Sequence, residues 1–225
     1  MSTFLNPPFI IAILIALSVH EWAHGVVANW LGDPTAKMDG RLTVNPISHL
    51  DPVGTLMFLV VGFGWAKPVP VDPRYFKNPK RDMTLVALAG PASNFIMAFV
   101  AFFILVMMGK NGMTSSAMGL LSSAGSGSPI MILIEQVLKS AIFVNLALMA
   151  FNLLPIAPLD GSKIIHAFIP YQHEQQYQLF MQRGPYILLL LILAGIFLNV
   201  PILSMWVFGI MSPILDLMSM IAGIL

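Results

Sequence analysis

The sequence contains no cysteine. Disulfides, thiolate nucleophiles and cysteine-ligated metal sites are thereby excluded, so any metal must be held by His, Asp or Glu. Charge is scarce too. Asp, Glu, Lys and Arg make up 9% of the 225 residues, against about 25% in soluble domains. Eleven Lys and Arg spread over the loops leave no basic face for nucleic acid. The first residues, MSTFLNPPFI, lack the basic start of a signal peptide and a small-residue cleavage site. The first apolar run is therefore read as a retained span. No internal repeat and no appended soluble domain is evident.

What is abundant is apolar surface: 57% of residues are hydrophobic and the mean hydropathy is +0.84. A spanning helix needs about 20 mostly apolar residues. Long runs occur at Pro8–Leu31, Thr84–Met108, Ile130–Leu154, Pro185–Val200 and Pro201–Leu225. A shorter run, Pro52–Trp65, reads as a re-entrant or interfacial segment, with Phe63, Gly64 and Trp65 marking the interface. Asp39-Gly40 followed by RLTV predicts a hairpin with short extended arms. The last two runs, parted at Pro201, predict a tight helical hairpin or a kinked, partly peripheral pair. The Gly/Ser-rich stretch GKNGMTSSAMGLLSSAGSGSP reads as a flexible loop. The expected fold is an all-α polytopic membrane protein of about five to six transmembrane helices, with a short membrane-associated β-hairpin or re-entrant segment. It forms one domain over 1–225, with a core at about 8–165 and additional helices at about 185–225.

Lys67, Arg74, Lys77, Lys80 and Arg81 form the densest basic cluster. The positive-inside rule places that loop in the cytoplasm. The loop holding Lys110 then lies outside and the segment with Lys163 and Arg183 inside. The first span runs inward, with His20 and His24 in its cytoplasmic half. The chain is expected in the cell membrane as a multi-pass protein.

That span carries His20-Glu21-Trp22-Ala23-His24, an H-E-x-x-H pattern. On a helix, positions i and i+4 lie one turn apart on one face, so two imidazoles can share a zinc ion. Glu21 follows the first ligand and can act as general base. Interhelical hydrogen bonding is the plainer role for membrane histidines. Three ionisable groups together in a span, however, are costly without a task. A catalytic zinc usually takes three protein ligands. The remaining candidates are His49, His166, His173, Asp33, Asp39, Asp51, Asp72, Asp82, Glu135, Asp160, Glu174 and Asp216. A ligand from another span that reaches the cytoplasmic half is needed, and Asp160 in NLLPIAPLDGSK meets both conditions. Pro155 and Pro158 break the helix there, and Gly161 permits close backbone approach. Asp160 as a helix N-cap remains the alternative. His166 and His173 read as interfacial polar residues.

HEWAH in a first core span, AGPASN opening a later one and NLLPIAPLDG ending the next resemble the site-2 proteases, zinc metalloproteases that cut transmembrane helices. GRLTVNPISHLDPVGT and GWAKPVPVDPR resemble the short prokaryotic branch of that family, without PDZ or CBS domains. The resemblance implies one zinc ion per chain held by His20, His24 and Asp160. It implies Glu21 as general base and Asn152 as a donor to substrate or oxyanion. Asn94, in AGPASN, is read as a packing residue, with Gly90 and Pro91 allowing close helix approach. Gly25 and Ala23 are read as small residues admitting a neighbouring helix. The implied partner is a transmembrane or membrane-anchored protein substrate in the bilayer. An unwound substrate is expected to pair with an extended segment around Leu42–Val44. A metal transporter or a catalytically silent scaffold would use the same ligands. Transporters, however, tend to show internal repeats, and a silent scaffold has no need of Glu21.

Overall fold

The computed structural model describes residues 6–61, 64–108 and 128–224. Phe63, Lys110 and the Gly/Ser-rich stretch 109–127 lie outside the described residues. Proline opens helix after helix, where its missing N–H costs nothing. It does so in α1 (Pro7–Trp30), in the one-turn α3 (Pro46–His49), in α5 (Pro79–Met107) and in α6 (Pro129–Asn152). Side-chain caps fix three of these starts: Asn45 accepts from Ile47 N, Asn78 from Arg81 N and Ser128 from Met131 N. The other helices are α2 (Thr35–Met38), α4 (Pro52–Val61), α7 (Asp160–His166), α8 (Glu174–Phe197) and α9 (Ile202–Ile224). Among the described residues, five helices are long and apolar enough to cross a membrane.

Helix α5 packs between α1 and α6. Phe102, Leu105, Ile142, Leu146, Met211 and Met218 interlock α5, α6 and α9 in one fully buried cluster. Alanines 12 and 16 of α1 meet Val144 of α6 in a second. Small residues let these helices approach closely, which is how helices associate where lipid is the solvent.

Two expectations need correction. First, the described residues contain no strand, and no hairpin forms at Asp39-Gly40. Gly40 has φ +65° and ends α2: its N–H donates to Lys37 O, and Arg41 N–H reaches back to Ala36 O at 2.8 Å. Asp-Gly serves a helix stop as readily as a hairpin turn, because both need a left-handed residue. A single antiparallel bridge, Leu50 to Ala66, is all the strand-like pairing among the described residues. Second, α8 begins at Glu174, not at Pro185, which lies inside the helix. Its polar first half hid it from an apolar-run reading.

The direction of α9 settles the path of the last two helices. Trp206 Nε1 donates to Ala150 O at 2.8 Å, and Phe208 lies with its ring 6.5 Å from that of Phe143. Helix α9 therefore starts beside the C-terminal end of α6 and runs back antiparallel to it. Helix α8 meets the bundle at that same end. Tyr177 donates to Ser162 O, Gly184 abuts Ala157, and Leu188 packs with Leu154, Leu159 and Leu203. This is the end that also carries the basic 66–82 loop.

Candidate active site

Helix α1 places His20 and His24 one turn apart on the face turned to α5. Both are buried, as is Asp160 at the first position of α7. Three atoms converge: His20 Nε2 and His24 Nε2 are 3.1 Å apart, and each lies 3.2 Å from Asp160 Oδ2. The opposite ring nitrogens are occupied. His20 Nδ1 donates to Asn94 Oδ1 at 2.6 Å, and His24 Nδ1 donates to Val86 O at 2.7 Å. The Asn94 amide is oriented in turn, its NH₂ donating to Asn145 Oδ1 at 2.9 Å and to Ala16 O at 3.4 Å. Asn145 closes the chain by donating to Ala141 O.

With both Nδ1 atoms donating, both Nε2 atoms carry lone pairs. Two lone pairs and a carboxylate oxygen then face one another inside an apolar bundle, and Asp160 Oδ2 has no hydrogen-bond partner. Three acceptors so placed repel unless a cation lies among them. Ligands at about 2.0–2.1 Å in tetrahedral zinc geometry stand roughly 3.3 Å apart, close to the separations found. The donor set, two imidazoles and a carboxylate, suits zinc, and His20, His24 and Asp160 form a group able to hold a metal.

Glycines make the convergence possible. A Cβ on Gly90 of α5 would stand 2.5 Å from His20 Cε1 and from His24 Nε2. On Gly161 it would strike the carbonyls of Leu153 and Leu154. The close approaches expected at these two positions are thus present. Gly25 meets Leu42, Val69 and Ala36 instead of a spanning helix.

A groove of about 710 Å³ opens onto the three converging atoms. Glu21, Asn152 and Lys163 line it among mostly apolar side chains: Phe9, Ile13 and Leu17 of α1, Phe143 and Leu148 of α6, and Leu188 and Ile192 of α8. The segment from Gly64 to Val71 forms the opposite wall, so Trp65 is a groove wall as well as an exposed aromatic. Glu21 Oε2 accepts from Val69 N at 2.9 Å. Asn152 Nδ2 donates to Leu148 O of its own helix at 3.0 Å. Lys163 Nζ lies 3.8 Å from Asp160 Oδ1.

The other sequence candidates are placed elsewhere. His166 donates to Glu174 and stacks on Tyr177, and His173 pairs with Gln176. His49 is buried beside Arg41. The Leu42–Val44 segment bends at Thr43, whose carbonyl accepts from His49 Nε2, and is not among the residues lining the groove. Asn94, read as a packing residue, orients His20. Asn145, Val86 O and Val69 N were not anticipated. Backbone partners carry no sequence signal, and the two asparagines are 51 residues apart.

The family model for peptidase family M50 matches residues 8–194. A Bacillus subtilis protein named "Putative zinc metalloprotease YwhC" is 46% identical over 166 residues, 74% of this chain and 71% of that relative. A Mycobacterium tuberculosis protein named "Putative zinc metalloprotease Rip2" is 28% identical over 211 residues, 91% of this chain and 71% of that relative. No solved structure matches. With five apolar helices enclosing a His-His-carboxylate group beside a glutamate, the chain belongs to peptidase family M50, the site-2 proteases, and is an intramembrane zinc metalloprotease.

Proposed function

We propose that His20, His24 and Asp160 hold the zinc ion, that Glu21 is the general base, and that Asn152 is a donor to the substrate. The reaction is hydrolysis of peptide bonds within or next to transmembrane segments. The observation that carries this reading is the convergence of three buried acceptor atoms, one of them unpartnered, beside Glu21 in an apolar groove. A bound zinc ion would supply Lewis-acid polarisation of a carbonyl oxygen and an acidified water. Glu21 takes a proton from the attacking water and returns it to the leaving nitrogen. Asn152 gives up its bond to Leu148 O and donates its amide to the carbonyl oxygen as charge develops there. Asn94 and Val86 O hold the two imidazoles with Nε2 bare.

The groove suits an apolar chain, since Phe9, Ile13, Phe143 and Leu148 extend it along α1 and α6. A substrate helix must unwind there, because its peptide groups are otherwise tied up in its own hydrogen bonds. The end of the bundle with Lys67, Arg74, Lys77, Lys80 and Arg81 faces the cytoplasm by the positive-inside rule, and the groove takes its water from that side.

The test is metal analysis of the purified protein together with cleavage of a model transmembrane helix, comparing the native chain with Glu21→Gln. One zinc per chain in both, with cleavage lost only in the variant, is expected. Undiminished cleavage by Glu21→Gln would remove Glu21 from the chemistry, and metal flux retained by it would favour transport.

A further inference from the structure

Glu21 is tethered through a backbone group. Its Oε2 accepts from Val69 N at 2.9 Å. Pro68 and Pro70 flank Val69 and have no N–H. Val69 therefore supplies the one backbone donor of this three-residue stretch, and its placement sets where the carboxylate can rest. Yet Val69 belongs to no helix or sheet. Its position depends on what fastens the segment on either side.

Three buried polar residues do so, none of them touching the metal-ligand group or lining the groove. Arg41 Nη2 donates to Lys67 O at 2.8 Å. His49 accepts from Lys67 N at its carbonyl, 2.8 Å away. Its ring is fixed as well, Nε2 donating to Thr43 O at 2.7 Å while Nδ1 faces Arg41 Nη2 at 3.5 Å. At the far end, Asp33 Oδ2 accepts from Asp72 N at 2.8 Å. Asp33 Oδ1 accepts from Thr35 N and from the Thr35 hydroxyl. Asp33 is 0% exposed, His49 2% and Arg41 9%. Burying a guanidinium and a carboxylate is costly, and apolar contacts would close this loop against α1 at lower cost. What apolar contacts do not provide is a fixed direction for one N–H.

We propose that Arg41 and His49, with Asp33 at the other end, are positioning residues for the general base. They hold the segment 66–72 so that Val69 N–H keeps the Glu21 carboxylate at the mouth of the metal-ligand group. The inference rests on the reading of Glu21 as base.

The experiment measures kcat, KM and zinc content for the native enzyme, Arg41→Met, Arg41→Lys, Asp33→Asn and Glu21→Gln. Arg41→Met is also placed on Glu21→Asp, whose shortened side chain no longer reaches Val69. Misplacing a catalytic group by about 1 Å can cost on the order of 100-fold. Arg41→Met is therefore expected to lower kcat by roughly 10- to 100-fold with KM and zinc content unchanged. Arg41→Lys restores much of the loss by donating to Lys67 O. In the Glu21→Asp background, Arg41→Met adds little, because the two changes break one linkage. Equal losses in both backgrounds, a raised KM at native kcat, or zinc lost in step with activity would each overturn the proposal. If Arg41→Met fails to fold, Asp33→Asn, whose NH₂ would replace one of the two carboxylate oxygens that accept from Asp72 N and from Thr35, decides the matter by the same readouts. Glu21→Gln keeps the two readings apart. Cleavage by that variant undoes the assignment of the base itself, whereas its inactivity beside an unaffected Arg41→Met undoes only the clamp.

Discussion

His20 and Asn94 are joined by a hydrogen bond of 2.6 Å from Nδ1 to Oδ1. Its direction decides which ring nitrogen is left for a metal. The Asn94 NH₂ is already spent on Asn145 and Ala16, so Oδ1 can only accept. His20 must then donate from Nδ1 and leave Nε2 bare.

Replacing Asn94 with Leu removes that constraint and leaves the Asn145 amide oxygen without its donor. Zinc affinity should fall by about 10- to 100-fold, the usual effect of losing a group that orients a ligand. Competition with a chromophoric chelator measures it. Unchanged affinity would return Asn94 to a packing role.

Gly90→Ala sets two effects against each other. Alanine favours an isolated helix by about 1 kcal/mol over glycine, yet its Cβ would stand 2.5 Å from both imidazoles. Metal content should drop sharply while helical content by circular dichroism holds. A variant with full zinc occupancy would show that α1 can shift away at little cost.

Asn152→Ala should leave zinc content intact and lower kcat by about 10²–10³, the loss found when one oxyanion donor is removed. The alternative is purely structural: Asn152 donates only to Leu148 O within α6, and truncation then changes thermal stability and not turnover.

Removing the metal leaves three facing acceptors uncompensated. Zinc at 100 times its Kd stabilises the protein that binds it by about 2.7 kcal/mol, so chelation should lower Tm and zinc should restore it. Glu21→Gln should show the same zinc-dependent shift, and Asp160→Ala should show almost none. An equal shift in Asp160→Ala would take Asp160 out of the ligand set.

The parts legible in the sequence were those with a period or a fixed spacing. Apolar runs marked the long helices. The i, i+4 histidines marked one half of the site, and the proline-broken end of α6 brought Asp160 to the other. Asp-Gly misled, because a left-handed residue closes a helix and a hairpin alike. The start of α8 was missed because GluGlnGlnTyr has the composition of a loop and acquires a place only through Tyr177 on Ser162 O. The positions of Asn94, Asn145 and Val69 N–H arise from the pairing of distant segments, on which local pattern is silent.

The direction of α9 bears on which compartment each part of the chain reaches. Since α9 starts beside Ala150 and runs back along α6, the expected arrangement of the five long apolar helices is that α1, α5, α6 and α9 cross and that α8 returns to the face it left. The start of α1 and the end of α9 are then expected to share a compartment, with the loops around Asp160 and Val69 facing the other. Impermeant labels on single cysteines, introduced into a chain that has none of its own, would mark residues near both ends together and residues of the basic loop apart from them. A fifth full crossing would divide the two ends between compartments.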